Sequence, residues 1–121
     1  VKVSELSGAL LDYWVARAAG ITNANENEIK YPPKVYFGPL DGSKDMELFS
    51  PSTNWAHGGP IIERERIMLD GRSRAGNPIN YWCARLAPGR LYFGETALVA
   101  AMRAYVASKF GEEVPDQPEE K

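Results

Sequence analysis

The chain offers one histidine, His57, and one cysteine, Cys83, for nucleophilic, general-base or metal chemistry. Hydrolytic catalysis wants a histidine beside a nucleophile and an orienting acid. Ser52, Thr53 and Asp12 are the candidates, but their spacing from His57 matches no triad. A metal centre wants several ligands at set intervals, and a lone His and a lone Cys far apart, with no patterned carboxylates, do not supply one. His57 therefore reads as a surface or partly buried residue, and neither catalysis nor a metal nor a cofactor is expected.

Binding chemistry is better provided for. In Asn54-Trp55-Ala56-His57-Gly58-Gly59-Pro60 a tryptophan stands beside two glycines and a proline-started helix. Glycines let a backbone approach a ligand closely, and a helix N-terminus offers free N–H groups to an anion. The competing account is that Trp55 plugs the core and the glycines only turn the chain. Arg64, Arg66, Arg72 and Arg74 form the densest basic run, suited to bidentate phosphate contacts. Glu63 and Glu65 interleave with it, so local salt pairing is the simpler account. Arg85, Arg90 and Arg103 lie on or near a later hairpin and the last helix. Arginines combined with aromatic faces suit a nucleotide-sized ligand, and equally an oligomer interface. The residues singled out as a ligand site are Asn54, Trp55, His57, Gly58, Gly59, Arg64, Arg85 and Arg103.

The elements that must position them follow from periodicity. Leu10, Leu11, Trp14, Val15 and Ala18 recur at helical spacing and predict a helix over 7–19, closed by Gly20. Residues 22–30 are polar and read as a loop. Pro32-Pro33 forces an extended run into 34–37, and 46–49 is the returning strand of a first hairpin. Ser50-Pro51-Ser52-Thr53-Asn54 is rich in helix caps. The glycine pair and Pro60 then predict a broken helix, one turn over 53–57 and a second segment over 60–66. A strand starts at 67–69, and Asp70-Gly71 opens a polar loop through Asn80. Residues 81–87 alternate, with Trp82, Ala84 and Leu86 facing the core and Tyr81, Cys83, Arg85 and Ala87 facing away. Pro88-Gly89 turns the chain into a returning strand over 91–93. A last helix over 96–110 carries the stripe Leu98, Met102, Tyr105, Val106 and Phe110, with Thr96 as its cap and Gly111 at its end.

The sum is an α+β domain over 1–111, two main helices on a short antiparallel sheet with a broken helix at the centre, followed by a disordered acidic tail over 112–121. The 121 residues, 44% hydrophobic and 25% charged, suit one such domain. No apolar run reaches the ~18 residues of a membrane span, and no export leader is expected. One unpaired cysteine fits a reducing compartment. The net charge of −2 hides a tail of −4 and a body of +2. The body is too weakly basic for duplex nucleic acid, though not for a local anion site.

Three stretches resemble the phage NinX-like family, a domain of unknown function. They are Val3-Ser4-Glu5-Leu6 with Leu11-Asp12-Tyr13-Trp14-Val15-Ala16; Ser50-Pro51-Ser52-Thr53-Asn54-Trp55-Ala56 through Gly58-Gly59-Pro60-Ile61-Ile62-Glu63-Arg64-Glu65; and Gly94-Glu95-Thr96-Ala97-Leu98 through Ala100-Ala101-Met102-Arg103 to Lys109-Phe110-Gly111. A looser similarity exists to phage α-β-α sandwich proteins. The resemblance implies a phage protein at work in the cytoplasm of an infected bacterium, and it implies no reaction. Three functions are carried forward: a non-catalytic binder of a small nucleotide-like molecule such as a host defence signal, an adaptor or inhibitor of a host protein, and a small enzyme. A homo-oligomer is compatible with each.

Overall fold

The computed structural model describes residues 1–20, 36–37, 47–73 and 80–115. A short 3-10 turn, Val3–Glu5, leads into helix α1 (Gly8–Ala19). Strands β1 (Tyr36–Phe37) and β2 (Glu47–Leu48) pair antiparallel, as the first predicted hairpin requires. Helix α2 (Trp55–Glu65) follows, then strands β3 (Met68–Ser73), β4 (Asn80–Arg85) and β5 (Leu91–Gly94), and helix α3 (Ala97–Phe110). The main sheet is antiparallel in the order β3-β4-β5. The α+β class expected from the sequence is the observed one. The predicted loop over 22–30 lies outside the described residues.

α3 is the hub. Its borders are those the sequence marks: the Thr96 side chain accepts the Val99 N–H at 3.1 Å, and Gly111 donates to Ala107 O at 2.8 Å. Its burial is wider than the predicted stripe. Ala97, Ala100, Ala101 and Ala104 are buried along with Leu98, Met102, Tyr105 and Val106. Alanines let neighbouring backbones come close on every side of a helix. One side of α3 covers all three strands of the main sheet, and the others receive α1 and α2. The first helix makes its main contacts with α3 and shares one core with the sheet. Phe110, at the end of the stripe, is 40% exposed and meets Trp14 edge-on at 5.3 Å.

The helix expected to break at the glycines is continuous. Pro60 lies in its second turn and withholds the N–H that Ala56 O would receive. Ala56 and Pro60 both face solvent, so water can serve that carbonyl. Gly58 is a packing residue: a Cβ there would stand 2.6 Å from both Leu98 Cδ2 and Pro51 O. Only a bare α-carbon lets α2 lie this close to α3 and to the preceding turn. The helix ends on Arg66, which adopts the left-handed conformation at φ 56° and donates its N–H to Glu63 O at 3.3 Å. Such backbone costs an L-residue with a side chain about 1 kcal/mol more than glycine. Arg66→Gly should therefore stabilise the domain by roughly 0.5–1 kcal/mol in a denaturant titration. A loss of stability would show that the Arg66 side chain contributes more than its backbone strain costs.

Where the polar loop is expected to open at Asp70, β3 continues to Ser73, and residues 74–79 lie outside the described part. Gly71 has a reason to sit within a strand. It pairs with Trp82, whose six-membered ring covers the place of a Gly71 side chain at 3.4 Å. Trp82 shares the helix-side face with Ala84, as predicted, yet it is 38% exposed. The first turn of α3 sits over Gly94, Trp82's partner on β5, where a Cβ would meet Ala100 N at 2.7 Å. The helix crowds that end and leaves Trp82 only the outer side, over Gly71. On the other face, predicted to be solvated, Cys83 is fully buried.

The boundary expected at Gly111 also moves. Val3 donates to Glu112 O at 2.8 Å and Val114 to Val1 O at 3.0 Å, forming a small antiparallel ladder around the bridge from Lys2 to Glu113. Val114 is buried in the main core. The acidic segment therefore contributes at least three residues to the folded body, and residues 116–121 lie outside the described part.

Candidate functional site

The structure distributes the sequence-selected residues over several places. Asn54 caps α2: its side-chain oxygen accepts the Ala56 N–H at 2.9 Å. That bond uses one of the N–H groups an anion would have needed. Trp55 is 56% exposed, so it is neither the expected core plug nor the floor of an enclosed pocket. Gly59 lies beneath its ring, with 3.8 Å available for a Cβ. Arg64 pairs with Glu65 at 2.9 Å and donates to the Tyr105 hydroxyl at 3.2 Å. Arg72 pairs with Asp70 at 3.0 Å. Local salt pairing is thus what these two do, while Arg74 lies outside the described residues. Arg85 folds onto its own hairpin and donates to Gly89 O at 2.9 Å, away from Tyr81, whose ring faces Phe93 at 5.8 Å.

His57 does gather polar company. It is buried on α2, stacked on Phe49 at 5.6 Å, and its Nδ1 accepts the Ser50 N–H at 3.0 Å. The Ser52 N–H reaches across to Asp12 Oδ1 on α1 at 2.8 Å. Burial pushes the Asp12 carboxyl above its ordinary value, while the bond from Ser52 and the proximity of His57 pull it back. Ser52 Oγ is sealed from solvent, near that carboxylate but outside hydrogen-bond geometry with any group. A nucleophile needs access, which the buried Ser52 Oγ lacks, and the bonds of the cluster tie the 50–54 turn to α1 and α2.

Arg103 leads elsewhere. Its Nε donates to Leu6 O at 2.8 Å and one Nη to Phe93 O at 2.6 Å, so two backbone carbonyls hold the guanidinium flat. Burial lowers its pKa from the ordinary arginine value, against the pull of nearby Glu95. Beside it opens a cleft of about 530 Å³ between β5 and the ladder of the chain ends. Its wall is formed by Lys2, Ser4, Arg90, Tyr92, Phe93 and Arg103, with Leu91, Glu112 and Glu113. Arg90 lies over the Tyr92 ring at 5.9 Å and forms an ion pair with Glu112. Three cations and two aromatic residues thus line one concavity together with two carboxylates, of which Glu112 is already paired with Arg90. Of the residues selected from sequence only Arg103 belongs to it. Lys2, Ser4, Glu112 and Glu113 carry no local motif. They reach the site because the two ends of the chain pair, an event that no spacing within either end announces.

The family profile described as bacteriophage P22 NinX matches residues 2–109. The chain belongs to the NinX family. It is accordingly a phage protein, and the resemblance drawn from its three sequence stretches holds. The NinX match takes in Lys2, Ser4, Arg90, Tyr92, Phe93 and Arg103, while Glu112 and Glu113 lie beyond it. The cationic and aromatic wall of the cleft thus falls within the region that the NinX profile spans. No curated protein sequence matches the chain. Among the described residues, no helix is long and apolar enough to cross a membrane, and no group of three or more His, Cys, Asp or Glu could hold a metal ion.

Proposed function

We propose that this NinX-family domain is a non-catalytic binding protein for a small anionic molecule of nucleotide type, held in the cleft between β5 and the chain ends, and that it acts in the cytoplasm of the infected bacterium. The observation that carries the reading is Arg103. Two carbonyls fix its guanidinium, partly desolvated, with N–H groups left over at the rim of a concavity that also holds Lys2 and Arg90. A pre-set guanidinium loses little freedom on pairing with a phosphate, and the half-exposed Phe93 offers aromatic surface to a base. In a phage setting such a molecule would be a host defence signal, and holding it without turnover would remove it from its receptor.

Calorimetric titration with a panel of cyclic dinucleotides and ADP-ribose derivatives tests this. At least one should bind, and Arg90→Ala should weaken it by about tenfold or more, roughly the loss of one charge-assisted contact. Arg90 and Glu112 are both exposed, so that variant should fold as well as the parent. A parent protein that binds none of the panel would overturn the proposal, as would binding that Arg90→Ala and Arg103→Lys both leave unchanged.

A further inference from the structure

The two edges of the main sheet are treated differently. On β5 the outward Phe93 carbonyl is taken by Arg103, and the cleft runs alongside. On β3 the outer edge has no strand or hydrogen-bond partner among the described residues. It is six residues long, with Met68, Asp70, Gly71 and Arg72 all exposed. Unpaired edges of this length are templates for another strand, and proteins usually blunt them.

The sequence of this edge is self-complementary. Asp70 and Arg72 flank Gly71 and point to the same face, where they pair with each other at 3.0 Å as exposed side chains. Suppose a second copy of β3 runs antiparallel, with a two-fold axis through Gly71. Gly71 then stands opposite Gly71, and Asp70 of each copy stands opposite Arg72 of the other. Directly opposed side chains on antiparallel strands lie about 5 Å apart, within reach of an ion pair. Two weak intrastrand pairs would become a four-charge network across the axis. On the reverse face the register meets a second feature. The half-exposed Trp82 ring lies over Gly71 in each copy, so two indoles would cover the strip left bare by the two glycines, an arrangement that offsets the weakness of glycine in a sheet. The geometry points to a symmetric dimer of this chain, joined edge to edge through β3 into a six-stranded sheet. The axis through Gly71 is the register that opposes unlike charges. Moving it onto Asp70 or Arg72 would set like charges face to face.

Sedimentation of the full chain over a concentration series tests the pairing. The parent should dimerise. Asp70→Arg gives an edge with two bases and Arg72→Asp one with two acids; each alone opposes like charges and should weaken dimerisation by roughly tenfold or more. An equimolar mixture of the two variants should dimerise again, since every base then faces an acid. Both positions are about half exposed, so folding, followed by circular dichroism, should be unaffected. A parent that stays monomeric at every concentration overturns the inference. So does a dimer that survives either single reversal, or a mixture of folded variants that fails to associate.

Discussion

Alanine at Gly58 is expected to destabilise the domain by about 3 kcal/mol, near the upper end of what overpacking a core costs. The added methyl would stand 2.6 Å from Leu98 Cδ2 and from Pro51 O. The leucine can change rotamer, but the Pro51 carbonyl is backbone and cannot yield without moving the turn that Asp12 and His57 hold. For a chain of this size such a loss lowers the unfolding midpoint by roughly 10 °C. Gly59→Ala is the control. Its methyl would meet only Trp55 Cε3, at 3.8 Å, and a helical alanine is favoured over glycine by up to about 1 kcal/mol. Adjacent glycines in one helix should therefore answer the same substitution with opposite signs. Equal effects at both positions in thermal unfolding would refute the packing role assigned to Gly58.

At Asp12 the expected result depends on which substitution is made. Asp12→Ala removes the acceptor of the Ser52 N–H inside a buried turn, and an orphaned buried donor costs about 1–3 kcal/mol. Asp12→Asn keeps an oxygen for that N–H and removes the charge, so it should match or exceed the parent at neutral pH. The pH profile separates charge from hydrogen bond. Burial raises the Asp12 carboxyl in the folded protein above its ordinary value of 3.8. The folded state then binds this proton more tightly than the unfolded state, and protonation favours folding. As pH falls from neutral through the raised folded value to 3.8, the parent should gain stability relative to Asp12→Asn; as pH rises through the same window the gain is lost. Urea midpoints measured for both proteins across that window provide the check. A parent that loses ground on acidification would mean that the bond from Ser52 outweighs desolvation.

Local chemistry in the sequence was a good guide wherever one element decides its own limits. Thr96 and Gly111 bracket α3, Gly20 ends α1, and alternation puts Trp82 and Ala84 on the helix-side face of β4. It misled where a neighbour decides. Gly58 and Pro60 read as a break, since the intrinsic cost of each is visible in sequence while the carbonyl that excludes a Cβ is not. Trp82 was assigned the right face and the wrong depth, because α3 fills the space above Gly94 and displaces the indole outward. Of the candidate ligand site, Arg103 was legible as one of several arginines. Its distinction, two carbonyl anchors from segments distant in sequence, arises only in three dimensions. The cleft beside it depends on Val1–Val3 meeting residues 112–114, a contact between opposite ends that no periodicity encodes.

α3 touches α1, α2 and every strand of the main sheet, yet among the described elements it comes after all of them in the chain. Until residues 97–110 have left the ribosome, the apolar faces of the earlier elements have almost nothing to close upon. The nascent chain must therefore carry them open to solvent and then collapse in one late step, with long-range contacts forming nearly together. A chain stopped before Ala97 should bind holding chaperones and be degraded rather than persist as a smaller domain. During infection, each translation event would yield either the whole body or none of it.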